Sequence, residues 1–239
     1  MIGSATAQEI CRSLQKLGNE EIAAHSQGFF KTGRGEYAEG DKFLGIRVPV
    51  LRKEAQRYKN LSLKETVVLL KSRFHEARLL ALFILIKKFL AGSDKQKSEI
   101  YGLYLKNMKH INNWDLVDCS APYIVGMHLE EEKRGILYTL AGSNSLWERR
   151  TAIIATFHLI RENDFSDALA ISEILLGDKE DLIHKAVGWM LREVGKRDVE
   201  ILKSFLKKYY EEMPRTMLRY AIERFPEKER KAYLQGTLK

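Results

Sequence analysis

Five stretches decide the fold: HEARLLALFIL (75–85), INNWDLVDCSA (111–121), LWERRTAIIAT (146–156), IHKAVGWMLRE (183–193) and PRTMLRYAIER (214–224). Each opens on polar or basic residues and runs into an apolar helical pattern. Their starts lie 36, 35, 37 and 31 residues apart. Second amphipathic stretches fall between them, at 98–108, 167–176 and 199–209. One helix pair cannot bury its own apolar face, so pairs recurring at this period stack on one another as an α-solenoid. Leu63, Val67, Leu70 and Phe74 carry the 3.6-residue period, as do Ile201, Phe205 and Tyr209. Only four prolines occur, at 49, 122, 214 and 226, and hairpin turn pairs are absent. The reading is all-α: a superhelix of HEAT-like repeats forming a single domain over 1–239. It places amino-terminal helices and a glycine-rich loop in 1–60 and repeats from about 61 onward, with the inner helices lining a concave basic surface. A non-repeating helical bundle is the alternative.

Composition narrows the function classes. At 45% hydrophobic and 30% charged residues, the chain has the balance of a globular protein rather than a disordered one. The net charge of +8 and a pI near 9.3 favour a polyanionic partner. An ordinary basic enzyme remains the plainer reading of charge alone. The two cysteines, Cys11 and Cys119, form no CxxC pair, and no HExxH occurs, so neither a disulfide framework nor a zinc site is expected. The start of the chain lacks a basic segment followed by an apolar run, and the longest apolar stretch, 79–86, falls short of the roughly 20 residues a bilayer needs. A cytoplasmic monomer with no membrane anchor, no cofactor, no metal and no obligate protein partner is the expectation.

The second block breaks the packing rule of the others. It sets Asn112, Asn113, Asp115, Asp118 and Ser120 where its neighbours are mostly apolar. A repeat that violates its own pattern marks a candidate site. Trp114 and Asp118 are four apart and share a helix face, as do Lys185 and Trp189; Trp147 and Arg150 are three apart. With Arg215, Arg219 and Arg224 they make a strip of tryptophans, cations and one carboxylate. Indoles stack on bases or hold cations, arginine and lysine neutralise phosphates, and an aspartate among them suits a reaction that develops positive charge. Each has a plainer reading: Trp147 and Trp189 as core fillers, Asp118 as an ion-pair partner of Arg150, Arg149 and Arg150 as a solvated face. The six histidines are scattered and read as structural. The segment 29–49 holds four glycines but lacks GxxxxGK[ST] and follows no strand. It is either a plain connection or a functional loop through which Tyr37, Lys42 and Arg47 reach a partner.

Five elements together resemble the AlkD-like DNA alkylation repair family of DNA glycosylases: FLGIRVPVLR (43–52), NNWDLVD (112–118), WERRTAI (147–153), IHKAVGWMLREVGK (183–196) and RTMLRYAIERF (215–225). The resemblance covers nearly the whole chain and rests on the order and spacing of the elements. It implies HEAT-like repeats and metal-free excision of positively charged N3- and N7-alkylated purines from double-stranded DNA. By resemblance Trp114 is the first aromatic of the site, Asp118 the catalytic carboxylate, Arg150 the arginine beside it and Trp189 the second aromatic. Arg150 is expected to hold a phosphate and keep Asp118 ionised. Tyr37 matches the aromatic of the amino-terminal loop, although the loop here departs in length and glycine content. Tyr37, Lys42, Arg47, Arg149, Lys185, Arg215 and Arg219 are the expected DNA contacts. Some members lack the tryptophan or the aspartate and bind branched DNA instead. A non-catalytic DNA binder is therefore the second reading, and a HEAT-type protein scaffold the third.

Overall fold

The computed structural model describes residues 5–129 and 133–237. The described residues form fourteen α-helices and two short 3-10 turns, with one isolated β-bridge between Lys42 and Phe74. The chain divides into two compact units, Met1–Ile124 and Val125–Lys239. In each, helices pack as stacked pairs, the HEAT-like arrangement.

The first unit contains α1 (Ala7–Leu17), α2 (Glu20–Phe29), α3 (Val48–Arg57), α4 (Leu63–Leu70), α5 (His75–Ala91), α6 (Asp94–Lys106) and α7 (Trp114–Ile124). Every residue of α5 from His75 to Leu85 is buried. A helix enclosed all round needs no polar stripe, which is why 79–86 is an unbroken apolar run. Helices α3, α4, α6 and α7 surround it. Local chemistry sets where helices begin. Thr6 and Glu9 form a capping box on α1, Asn19 caps α2 and Ser62 caps α4. Glu65 accepts the Ala7 N–H at 2.7 Å and ties α4 to α1. Helix α2 differs from its neighbours in having no buried residue at all.

The second unit contains α8 (Gly135–Ala141), α9 (Leu146–Arg161), α10 (Ser166–Ile174), α11 (Asp181–Arg197), α12 (Val199–Tyr209), α13 (Arg215–Ala221) and α14 (Glu227–Gln235). Here α9, α11 and α13 pack in series, α8 and α10 lie against α9, and α12 lies against α11. The layer is drawn tight at glycines. A Cβ added at Gly188 of α11 would meet the Met217 carbonyl oxygen and the Tyr220 Cβ, each at 2.5 Å.

Helices α5, α9, α11 and α13 begin within two residues of the repeat blocks read from the sequence. The second block does not: α7 begins at Trp114, and Ile111–Asn113 precede it. Asn113 is fully buried; its carbonyl accepts the Val117 N–H and its side-chain oxygen the Trp114 N–H. Asn113 thus starts the helix rather than lining its face. Pro122 lies inside α7 and has no N–H to give the Asp118 carbonyl one turn earlier. Phe74 does not continue α4, as its spacing from Leu70 suggested. The chain leaves the helix at Lys71, and Phe74 joins the bridge to Lys42. Among the described residues no helix is long and apolar enough to cross a membrane.

Two glycine substitutions separate close approach from open helix surface. Gly188→Ala is expected to lower unfolding free energy by about 1–3 kcal/mol through overpacking. Gly102→Ala on α6, where an added Cβ meets nothing within 4 Å, should raise it by up to about 1 kcal/mol through helix propensity. Denaturant unfolding of the two variants against wild type checks both signs.

Candidate active site

The first turn of α7 carries Trp114 and, one turn later, Asp118 on the same face, and both side chains are half-buried. Trp114 is held by residues distant in sequence. Phe30 stacks on it with centroids 5.3 Å apart, and Phe29 meets it edge-on at 6.0 Å. Phe30 also stacks on Phe43 at 5.0 Å, and the His75 ring lies 4.6 Å from Phe43 and 5.1 Å from Phe30. The end of α2, the glycine-rich loop and the first residues of α5 and α7 thus converge in one aromatic cluster.

A chain of charges runs beneath it. His75 is 2% exposed. Its Nε2 lies 2.8 Å from Asp115 Oδ2 and its Nδ1 3.7 Å from Asp41 Oδ2. Arg78 Nη2 donates to the same Asp41 oxygen at 2.6 Å. Burial alone would pull the His75 pKa down. The Asp115 charge and hydrogen bond, with Asp41, outweigh burial and the opposing Arg78 charge, and raise it above the ordinary histidine value. Burial would raise Asp41, but the facing His75 ring and the hydrogen bond and charge of Arg78 hold it below its ordinary value.

The glycine-rich loop is fastened to α5 beside this chain. The buried Glu76 carboxylate accepts the N–H groups of Leu44 (2.9 Å), Gly45 (2.7 Å) and Ile46 (3.3 Å). Gly45 has φ +77°, and a Cβ there would stand 2.0 Å from the Asn19 carbonyl oxygen, so only glycine fits. Lys42 donates its backbone N–H to the Arg73 carbonyl at 3.4 Å and accepts that of His75 at 2.8 Å. A cleft of about 620 Å³ opens against this arrangement, lined among others by Glu21, His25, Phe43, Arg47, His75 and Asp115.

Of the loop residues read as DNA contacts, Lys42 and Arg47 are exposed and Tyr37 is half-buried. Cys119 offers no thiolate: burial, then the Asp115 and Asp118 charges, pushes its pKa well above the ordinary value.

In the second unit the arginine pair is not a solvated face. Arg149 donates through Nε to Asp178 Oδ2 at 2.6 Å and through Nη1 to the Ser143 carbonyl at 3.0 Å. A phosphate would have to displace Asp178. Arg150 is 4% exposed, and its Nη1 donates to the Leu182 carbonyl. Trp189 is half-buried, its indole N–H donating to Glu193 at 3.0 Å and its ring 5.9 Å from Phe157. Lys185 pairs with Asp181 at 2.8 Å. Arg215 and Arg219 are exposed, and Arg215 donates to the Leu234 carbonyl at 2.5 Å. Among the described residues, no cluster of three or more His, Cys, Asp and Glu could hold a metal.

Sequence reasoning missed Phe29, Phe30, Phe43, Asp41 and the linking role of His75. The available signal was the polar His75–Glu76 pair heading an otherwise apolar helix. A carboxylate beside aromatics, half shielded from water, is suited to stabilising a cation.

A family model described as DNA alkylation repair enzyme matches residues 10–225. Among solved structures the chain is similar to a predicted DNA alkylation repair enzyme from Enterococcus faecalis, at 18% identity and a TM-score of 0.70. That likeness covers 88% of this chain and 97% of the other. None of the curated proteins compared with the chain matches it.

Removing the carboxylate that fastens the loop tests this geometry. Glu76→Ala leaves three amides without an acceptor, each worth about 1 kcal/mol or more when buried. The expected result is a loss of about 3 kcal/mol in unfolding free energy, with accelerated hydrogen exchange at Leu44, Gly45 and Ile46.

Proposed function

The chain belongs to the family of DNA alkylation repair enzymes, and from that membership we propose that it is a DNA glycosylase. It hydrolyses the N-glycosidic bond of positively charged N3- and N7-alkylated purines in duplex DNA. The observation that carries the reading is the pairing of half-buried Trp114 and Asp118 on one face of α7. The proposal includes a cytoplasmic, monomeric enzyme.

An N3- or N7-alkylated purine already carries the charge that makes it a leaving group. When the bond breaks, its electron pair goes to the base, which departs neutral, and positive charge builds on the deoxyribose. The Asp118 carboxylate stabilises that developing charge and orients a water. The water oxygen bonds to C1′ and releases its proton to solvent. No general acid is required. The Trp114 indole faces the cationic nucleotide by cation–π attraction.

Arg150 and Trp189 enter on the resemblance alone: Trp189 as the second aromatic, Arg150 as a buried charge favouring an ionised carboxylate. Lys42, Arg47, Arg215 and Arg219 supply exposed cations for the DNA backbone, with half-buried Tyr37 and Lys185 as further contacts. Arg149 joins them only by releasing Asp178.

Duplex containing 7-methylguanine tests the reading. The wild type should release free base, and Asp118→Asn should slow release by about 100- to 1,000-fold while DNA affinity stays within about threefold. Affinity should fall steeply between low and moderate salt, as counterion release requires. Undiminished release by Asp118→Asn removes the role assigned to Asp118. Salt-dependent binding without any release by the wild type turns the reading to a non-catalytic DNA binder.

A further inference from the structure

We propose that His75 is a positioning residue for the reaction assigned to Trp114 and Asp118: as an imidazolium it ties the first turn of α7 to the glycine-rich loop, through Asp115 on one side and Asp41 on the other. The proposal rests on the glycosylase reading for its consequence in catalysis. Its structural half stands without that reading.

Each ring nitrogen faces a carboxylate, Nε2 within hydrogen-bond reach and Nδ1 at ion-pair distance. Nε2 faces Asp115 at 2.8 Å and Nδ1 faces Asp41 at 3.7 Å, in a side chain almost entirely removed from water. A neutral imidazole bonded through Nε2–H to Asp115 would turn the Nδ1 lone pair toward Asp41; an imidazolium keeps the Asp115 hydrogen bond and sets an N–H toward Asp41, an ion-pair contact longer than a hydrogen bond. Of the charged groups around the ring, Asp115 on α7 and Asp41 on the loop favour its charge. Arg78 on its own helix opposes it. Glu76 is occupied with the loop amides. Glu21 and His25 of α2 and Arg47 at the start of α3 line the adjoining cleft.

Asp115 is the residue next to Trp114, and Asp118 follows one turn later. Asp115 Oδ1 is buried without a hydrogen-bond partner, so its bond to His75 is what this side chain contributes to holding α7. A rotation of the first turn would move the indole and carry the Asp118 carboxylate with it. His75 acts on the indole a second way, because its ring packs against Phe43 and Phe30, the latter stacked on Trp114. Displacement of a reacting group by about 1 Å is enough to cost on the order of 100-fold in rate.

The sign follows from the raised pKa of His75. The imidazolium, and the coupling, are complete below the ordinary histidine value of about 6.5 and are lost as pH rises through the higher folded value. The rate of base release should fall on that alkaline limb, while DNA affinity changes by less than about threefold.

The experiment uses wild-type protein without DNA. The indole N–H resonance of Trp114, assigned by its loss in Trp114→Phe, is followed by NMR alongside the His75 ring resonances across the pH range. The expected result is that Trp114 titrates with the midpoint of His75, above 6.5. A Trp114 resonance that ignores the His75 titration overturns the proposal. Single-turnover release of 7-methylguanine then reads the catalytic half. His75→Phe retains an aromatic ring but no bridge, and should slow release by about 10- to 100-fold and flatten the alkaline limb. Asp115→Asn should do the same, and Asp115→Glu should restore the limb. Wild-type rate and limb in His75→Phe overturn the catalytic half. If that variant does not fold, the wild-type titration and the Asp115→Glu and Asp115→Asn pair decide. A wild type that releases no base overturns the glycosylase reading, whereas the Trp114 coupling stands or falls on the NMR result.

Discussion

The amino-terminal unit depends on the burial of the Glu76 carboxylate among three backbone amides. A charge taken out of water is costly unless it is fully hydrogen-bonded. Leu44, Gly45 and Ile46 supply those hydrogen bonds only when the loop turns back onto the first turn of α5. That turn needs the positive φ of Gly45, and the space left by its missing Cβ is filled by the start of α2. With the loop so fixed, Phe43 lands on His75 and Phe30 on Phe43, and Trp114 gains a wall of rings. Replacing any of these by a residue of different shape alters the floor on which the candidate catalytic helix rests.

The helices were legible because their pattern is local and repeated. The period of the blocks predicted α5, α9, α11 and α13, and 199–209 coincides with α12. Legibility failed where a partner lies far along the chain. Phe74 keeps a helical spacing with Leu70, yet a backbone pairing with Lys42 claims it. Arg149 reads as a surface cation until Asp178, distant in sequence, is seen to hold it. The glycines of the loop announced a special backbone, but not that Glu76 would be its acceptor. Of the candidate site, Asp118 stood out as a polar exception in an apolar repeat, and Trp114 as the aromatic four residues before it on the same face. The groups that support Trp114 did not, since phenylalanines are common and carry no directional signature.

Both units hold interior charge. In the first, the His75 chain and Glu76 join α5 to α7 and to the loop beneath the Trp114 cluster. In the second, Arg134 pairs with the buried Asp167 and with Asp164, and Arg149 pairs with Asp178. Buried charge pairs are weak sources of stability but strict about geometry. Those beneath Trp114 fit a place where geometry matters more than cohesion.

Helix α2 has no buried residue. It is held at its two ends, by the Asn19 N–H to the Leu44 carbonyl at 2.9 Å and by Phe29 and Phe30 against Trp114. Little apolar surface opposes its release, so its local opening free energy lies far below that of α5, with which it shares the cleft.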